Sequence, residues 1–182
     1  MSKNITTPKG SAGYLNLLVP DTRFDPEGKY KASVTLPDAE AAKIIELCKE
    51  EAIDELGPKK AAKAKMPGKE NEDGTVTFTF KSKSKPKLFD AKGNPIRNTS
   101  SVERVGGGST IRVKGSAKAY ENGANIGVTL YLNEVQLIKL VEFGGGFEAV
   151  DDEDGFVADN TPAAAETFDG GEAPAEDGPV DF

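Results

Sequence analysis

The segment STIRVKGSAKAYENGANIGVTLYLNEVQLIKLVEF, residues 109–143, constrains the fold more than any other, because two alternating runs flank Asn122-Gly123. Asn-Gly is strongly favoured in two-residue turns, so the segment is expected to fold as a β-hairpin. A turn on those two residues opposes Lys114 to Tyr131 and Arg112 to Asn133. Ile111, Val113, Ala117 and Ala119 then pack inward with Ile126, Val128, Leu130 and Leu132. Arg112, Lys114, Lys118, Tyr120, Thr129 and Tyr131 face outward. A one-residue slip would set valines against lysines.

Three more stretches read as strands. In GYLNLLV after Ala12, Leu15, Leu17 and Val19 share one face, opposite Tyr14 and Asn16. KYKASVTL places Tyr30, Ala32, Val34 and Leu36 inward, with Lys29, Lys31, Ser33 and Thr35 opposite. In TVTFTFKSKSKPKLF, Val76, Phe78 and Phe80 oppose Thr75, Thr77, Thr79, Lys81, Lys83 and Lys85, a comb of lysines produced by the period of two. Pro86 bends or ends that strand before Lys87. Between the second and third stretches, PDAEAAKIIELCKEEAIDELGP reads as a helix. Asp38 is its expected cap, Ala41, Ile45, Cys48, Ala52 and Leu56 its apolar stripe, and Gly57-Pro58 its end. Its acidic outer face, with Glu46, Glu50, Glu51, Asp54 and Glu55, does not suit nucleic acid. The lysine-rich run after it and DAKGNPIRNTSSVERVGGG read as loops, the first of them mobile.

Charge divides the chain unequally. Of its 30 acids, 11 lie from Asp151 onward with no Lys or Arg among them, which leaves 19 acids against all 23 bases, a net +4, in residues 1–150. A basic body with an acidic appendage points to a polyanion partner or a switch. From residue 144 the chain is Gly, Pro, Ala and acid, a composition expected to be disordered, and it ends on Phe182.

The chain has no histidine and only Cys48, which removes His-based acid–base chemistry, His/Cys zinc sites and disulfides. No metal or other cofactor is expected. GGGST at Gly106–Thr110 lacks the Lys-Ser/Thr ending of a phosphate loop and runs into a strand. The tail acids match no EF-hand spacing. No nucleophile–base pairing is visible, so no enzyme is expected. The start has no apolar run of signal-peptide length and no stretch approaches a membrane span, which places the expected protein in the cytosol.

Five strands, one helix and long loops suit an all-β Greek-key barrel of the OB type, with an all-β sandwich open as the alternative. The outward faces carry the functional reading. Lysines every second residue, interleaved with tyrosines, combine cations for phosphates with rings for unpaired bases, which is what single-stranded nucleic acid requires. Tyr14, Tyr120 and Tyr131 are the expected stacking residues. Lys29, Lys31, Lys81, Lys83, Lys85, Lys87, Arg112, Lys114 and Lys118 are the expected phosphate contacts. Phe78 and Phe80 are assigned to the core, and Phe24 and Phe89, in loops, fit either role. The competing reading is a β-sandwich scaffold or interaction protein with solubilising lysines and a protein-docking tail.

Three features together resemble a known family: TPKGSAGYLNLLVPDTRFDPEGKYKASVTL near the start, GGGSTIRVKGSAKAY with GVTLYLNEVQLIKLVE in the hairpin, and the acidic tail ending VDF. In that order they are similar to the single-stranded-DNA-binding proteins of lytic, short-tailed bacteriophages, over nearly the whole chain. The resemblance implies an OB-fold DNA-binding domain over residues 1–143 and a disordered acidic tail over 144–182. It also implies coating of single-stranded DNA during phage replication and recombination in the host cytoplasm. Asp177, Asp181 and Phe182 would contact a phage DNA polymerase and helicase–primase, and the tail acids would compete with DNA. A homodimer is a further expected assembly.

Overall fold

Period-two alternation becomes strands in the computed structural model, which describes residues 2–103 and 105–141. In chain order these are β1 (Lys3–Thr6), β2 (Gly10–Asp21) and β3 (Lys29–Pro37), then the helices α1 (Asp38–Leu56) and α2 (Pro58–Ala61). They are followed by β4 (Lys69–Glu70), β5 (Thr75–Ser82), β6 (Lys87–Phe89), β7 (Thr110–Asn122) and β8 (Asn125–Lys139). All eight strands join one sheet, ordered β1-β7-β2-β3-β5-β8-β6, with β4 on β5 and an additional β7–β8 pairing. That pairing closes a ring of β2, β3, β5, β8 and β7, in which β5 and β8 run parallel and the other neighbours antiparallel. The ring is the five-stranded, partly open barrel of the OB type. The strands beyond the five expected, β1, β4 and β6, are short additions at its edges.

The core fills the ring. Ala32, Val34 and Leu36 of β3, Phe78 and Phe80 of β5, Ile111, Val113 and Ala117 of β7, and Leu130 and Leu132 of β8 are all at most 2% exposed. Each large side chain among them contributes roughly 1.5–3 kcal/mol of burial. Helix α1 lies against this core through Ala41, Ile44, Cys48, Glu51 and Ala52. The stripe therefore runs through Ile44, with Ile45 and Leu56 only half-buried at its flank. Its cap also differs from expectation. Pro37, with ψ 151°, leaves β3 and occupies the cap position, so Asp38 is already helical and makes no capping hydrogen bond. Asp38 and Glu40 instead place negative charge in the first turn, where the helix dipole favours it. Glu51 is 1% exposed, and its Oε1 has no hydrogen-bond partner among the described residues.

The hairpin keeps its expected faces but not its expected pairs. Asn122 opposes Asn125, so the turn residues are Gly123 and Ala124, with Gly123 at φ +60°. Tyr131 opposes Ser116, not Lys114. A register irregularity between Lys114 and Gly115 then places Lys114 opposite Glu134 and Arg112 opposite Gln136. Beyond it Val135 and Leu137 turn inward, so the alternation of β8 changes phase partway along. In β2, irregularities between Ala12 and Leu15 and between Asn16 and Asp21 leave Val19 72% exposed, contrary to its expected inward face.

Two loop readings also change. β5 ends at Ser82, so Lys83 and Lys85 lie beyond the strand and do not continue the comb. The lysine-rich run after α1 is tied down: Lys65 donates its N–H to the Ile126 carbonyl, and its own carbonyl accepts from Val128. The expected domain boundary at 143/144 and the acidic tail, with Asp177, Asp181 and Phe182, lie outside the described residues.

Candidate nucleic-acid interface

A row of paired residues crosses the sheet from Asn16 through Lys31, Lys81, Tyr131 and Ser116 to Asn4. It exists because β3 and β5 are in register over their full pairing, and because the single parallel bridge between β5 and β8 falls on Lys81 and Tyr131. Two residues along, Ser33 and Thr79 share a hydroxyl hydrogen bond of 3.0 Å, and Thr35 and Thr77 share one of 2.8 Å. The outward face of β3 and β5 is thus a short hydroxyl ladder running into a pair of lysines. Above it lies a groove of ≈ 520 Å³ lined by Tyr14, Asn16, Arg23, Phe24, Lys31 and Lys81, among others. Tyr14 is 81% and Phe24 90% exposed, and Tyr131 is 44% exposed.

The β2–β3 loop sets the charge beside this groove. Asp21 Oδ2 accepts Lys31 Nζ at 2.6 Å, while its Oδ1 accepts the Arg23 backbone N–H at 3.0 Å. Asp25 pairs with Lys29 at 3.1 Å, and Glu27 with Lys83 at 2.7 Å. Lys31 first, and then the Arg23 N–H, hold the Asp21 carboxyl below its ordinary range. Asp25 is lowered chiefly by Lys29, and Lys83 is raised chiefly by Glu27. Three of the expected phosphate contacts, Lys29, Lys31 and Lys83, therefore already carry a carboxylate partner from this loop. Lys81 and Lys85 carry none among the described residues.

The other expected site residues lie along the hairpin. Lys118 is exposed opposite Thr129, two positions along β7 from the Ser116–Tyr131 pair. Tyr120 opposes Gly127, and a Cβ on Gly127 would meet the Tyr120 Oη at 2.7 Å, so the ring lies across the glycine. Arg112 donates its Nε–H to the Thr7 carbonyl at 3.2 Å, and Lys114 pairs with Glu134 at 3.4 Å. Arg112 and Lys114 border a separate hollow of ≈ 180 Å³ with Phe89. Lys87, exposed at the start of β6, opposes Glu134 in the register. The structure thus gathers Tyr14, Lys31, Lys81 and Tyr131 on one face, and separates Arg112 and Lys114 into another hollow. Arg23 is not among the expected site residues, and the sequence leaves Phe24 open between two roles. Their signal was a basic–aromatic pair in a Pro/Asp-rich loop immediately before a lysine-bearing strand.

No protein-family model matches the chain. It is 31% identical to the single-stranded DNA-binding protein of Escherichia phage T7 over 183 residues, covering 80% of this chain and 78% of that relative. The corresponding protein of Enterobacteria phage T3 is 33% identical over 159 residues, covering 68% and 67%. Among solved structures, gp2.5, a single-stranded DNA-binding protein encoded by bacteriophage T7, aligns with TM-score 0.63 at 32% identity, over 87% of this chain and 100% of that one. The single-stranded DNA-binding protein from bacteriophage Enc34, in complex with ssDNA, aligns with TM-score 0.62 at 14% identity over 78% and 89%, a likeness of fold. Identity above 30% sustained over at least two thirds of both chains, on a shared barrel, is decisive: the chain belongs to the family of phage single-stranded DNA-binding proteins that includes those of T7 and T3.

Proposed function

We propose that the protein binds single-stranded DNA without sequence preference along the groove over β2, β3 and β5, continuing past Tyr131 onto the hairpin. The observation that carries this reading is the row Asn16–Lys31–Lys81–Tyr131, which aligns polar, cationic and aromatic residues across four strands beneath the exposed rings of Tyr14 and Phe24. Rings stack on any base and lysines meet any phosphate, so affinity follows strandedness and not sequence. Binding, with no turnover, is the proposed activity, and its setting is phage DNA replication and recombination in the host cell. Residues 1–143 form the binding domain in this reading. Residues 144–182 are a tail whose carboxylates compete with DNA and whose Asp177, Asp181 and Phe182 engage a polymerase or helicase. The names of the relatives support the DNA reading, and the charge division between body and tail supports the competition.

Fluorescence anisotropy with a labelled dT oligonucleotide, repeated over a series of salt concentrations, tests it. With about five phosphate contacts, log affinity falls against log salt with a slope near −3.5, at roughly −0.7 per contact. Removing residues 144–182 tightens binding most at low salt, where screening is weakest. A flat salt response, or tighter binding to duplex, overturns the reading.

A further inference from the structure

We infer that Lys31 is a positioning residue of the groove and not one of its phosphate contacts: clasped by Asp21, it holds the Phe24 ring where an unpaired base stacks. This inference rests on the single-stranded DNA reading above. Lys31 is the most enclosed of the lysine partners in the β2–β3 ion pairs, with its side chain 18% exposed and that of Asp21 15% exposed. Its ammonium is engaged on two sides, by Asp21 Oδ2 at 2.6 Å and by the Phe24 ring with its centroid 5.6 Å away. The second distance is within the reach of a cation–π contact. The other oxygen of Asp21 holds the Arg23 N–H, so one carboxylate fixes both the lysine and the backbone that leads into Phe24.

The consequences for DNA are specific. A phosphate reaching Lys31 would have to displace a short, partly enclosed carboxylate contact, and the Lys31–Asp21 pair offers no net charge in return. Lys81, its register partner on β5, is exposed and has no ion partner among the described residues, so it meets the phosphate at this level of the groove. Phe24 remains 90% exposed even with the ammonium beside it, a placement that gives the ring little burial in the free protein and leaves it open to a base. Lys31 and Lys81 are thus neighbours with different tasks.

The chain contains no tryptophan, so Phe24→Trp in the full-length protein provides its only indole. The expected result is quenching of that indole by a dT oligonucleotide, and the Phe24→Trp protein is the reference for the variants added to it. Adding Lys31→Ala should weaken binding roughly tenfold, reduce the quench at saturation and leave the salt slope unchanged. In a Phe24→Ala background, Lys31→Ala should cost little more. Lys81→Ala should instead lower the slope by about 0.7 and preserve the quench. If Lys31→Ala does not fold, Asp21→Asn, which keeps the side-chain size and releases the clasp, should reduce the quench in the same way. Loss of about 0.7 in slope with the quench intact would make Lys31 a phosphate contact and overturn the inference. Tight dT binding without any quench would overturn it too, because Phe24 would then not stack. In both cases single-stranded DNA binding stands, whereas failure of the unsubstituted chain to bind dT overturns the functional reading itself.

Discussion

Tyr14 stands 81% exposed at the wall of the β2–β5 groove, whereas Tyr120, on the outer face of the β7–β8 hairpin, is 36% exposed because its ring crosses Gly127. The cations of the two regions differ in the same way. Lys81, beside the groove, has no ion partner among the described residues, while Arg112 and Lys114 on β7 are held by the Thr7 carbonyl and Glu134. Both regions place aromatic and basic side chains outward, and alternation alone makes them look alike. What separates them is the neighbouring surface: Gly127 offers Tyr120 a flat place to lie, and the irregular β2 offers Tyr14 none.

The hairpin should be the more fragile of the two regions. A Cβ on Gly115 would sit 2.0 Å from the Tyr131 carbonyl oxygen and 2.8 Å from the Phe80 ring, neither of which can withdraw without moving the sheet. Gly115→Ala is therefore expected to destabilise the fold by about 3 kcal/mol through overpacking, read as a lowered denaturant midpoint with an unchanged slope. An unaltered midpoint would show that the register irregularity at Gly115 does not require the close approach.

Next in size is the contrast between the tyrosines. Tyr14→Ala should cost about 1–3 kcal/mol of affinity for a dT oligonucleotide and leave thermal stability nearly unchanged. Tyr120→Ala should uncover Gly127 and lower stability by about 1 kcal/mol, with a smaller effect on binding. Equal losses of affinity would erase the distinction between the regions. The lysines give a finer version of the test. Lys81→Ala should reduce the salt slope by about 0.7, and Lys114→Ala by less, because Glu134 already balances its charge. The reverse order would move the DNA path onto the hairpin.

Much of the barrel was legible because burial follows parity. Ile111, Val113, Ala117, Val128, Leu130 and Leu132 were assignable to the core from alternation alone, and all are buried. Their partners were not assignable, since moving the turn from Asn122-Gly123 to Gly123-Ala124 shifts the pairing by two residues, and a shift of two preserves every face. The inward turn of Val135 and Leu137 depends on where β8 changes phase against β7, beside the contact between Gly115 and Phe80, which are far apart in sequence. The site was legible as chemistry and less so as geometry. The outward placement of Tyr14, Lys81 and Tyr131 followed from strand faces, but the groove is also lined by Phe24, whose position comes from a loop held by Asp21. Lys83 and Lys85 left the comb when β5 stopped at Ser82, because periodicity does not mark where pairing ends.

The smallest expected effect concerns acid, and it asks whether the groove loop is electrostatically held. Asp21 and Asp25 have carboxyls lowered below the ordinary value of 3.8, Asp21 chiefly by Lys31 and Asp25 chiefly by Lys29. Asp90, in the turn after β6, is lowered chiefly by the Asn94 backbone N–H. A depressed folded value means that the folded state binds the proton less readily than the unfolded chain. Each contribution to stability is therefore complete above the ordinary value and is lost as pH falls through the lower, folded one. Protonating Asp21 removes the carboxylate partner of Lys31 and releases the support of Phe24. With Phe24→Trp as reporter, indole emission should change in a step below pH 3.8, and adding Asp21→Asn should abolish that step. Asp90→Asn should leave it in place while still reducing the acid sensitivity of the melting temperature. A step that survives Asp21→Asn would mean that the loop is held by packing, and the electrostatic contrast between groove and hairpin would then lose its most direct support.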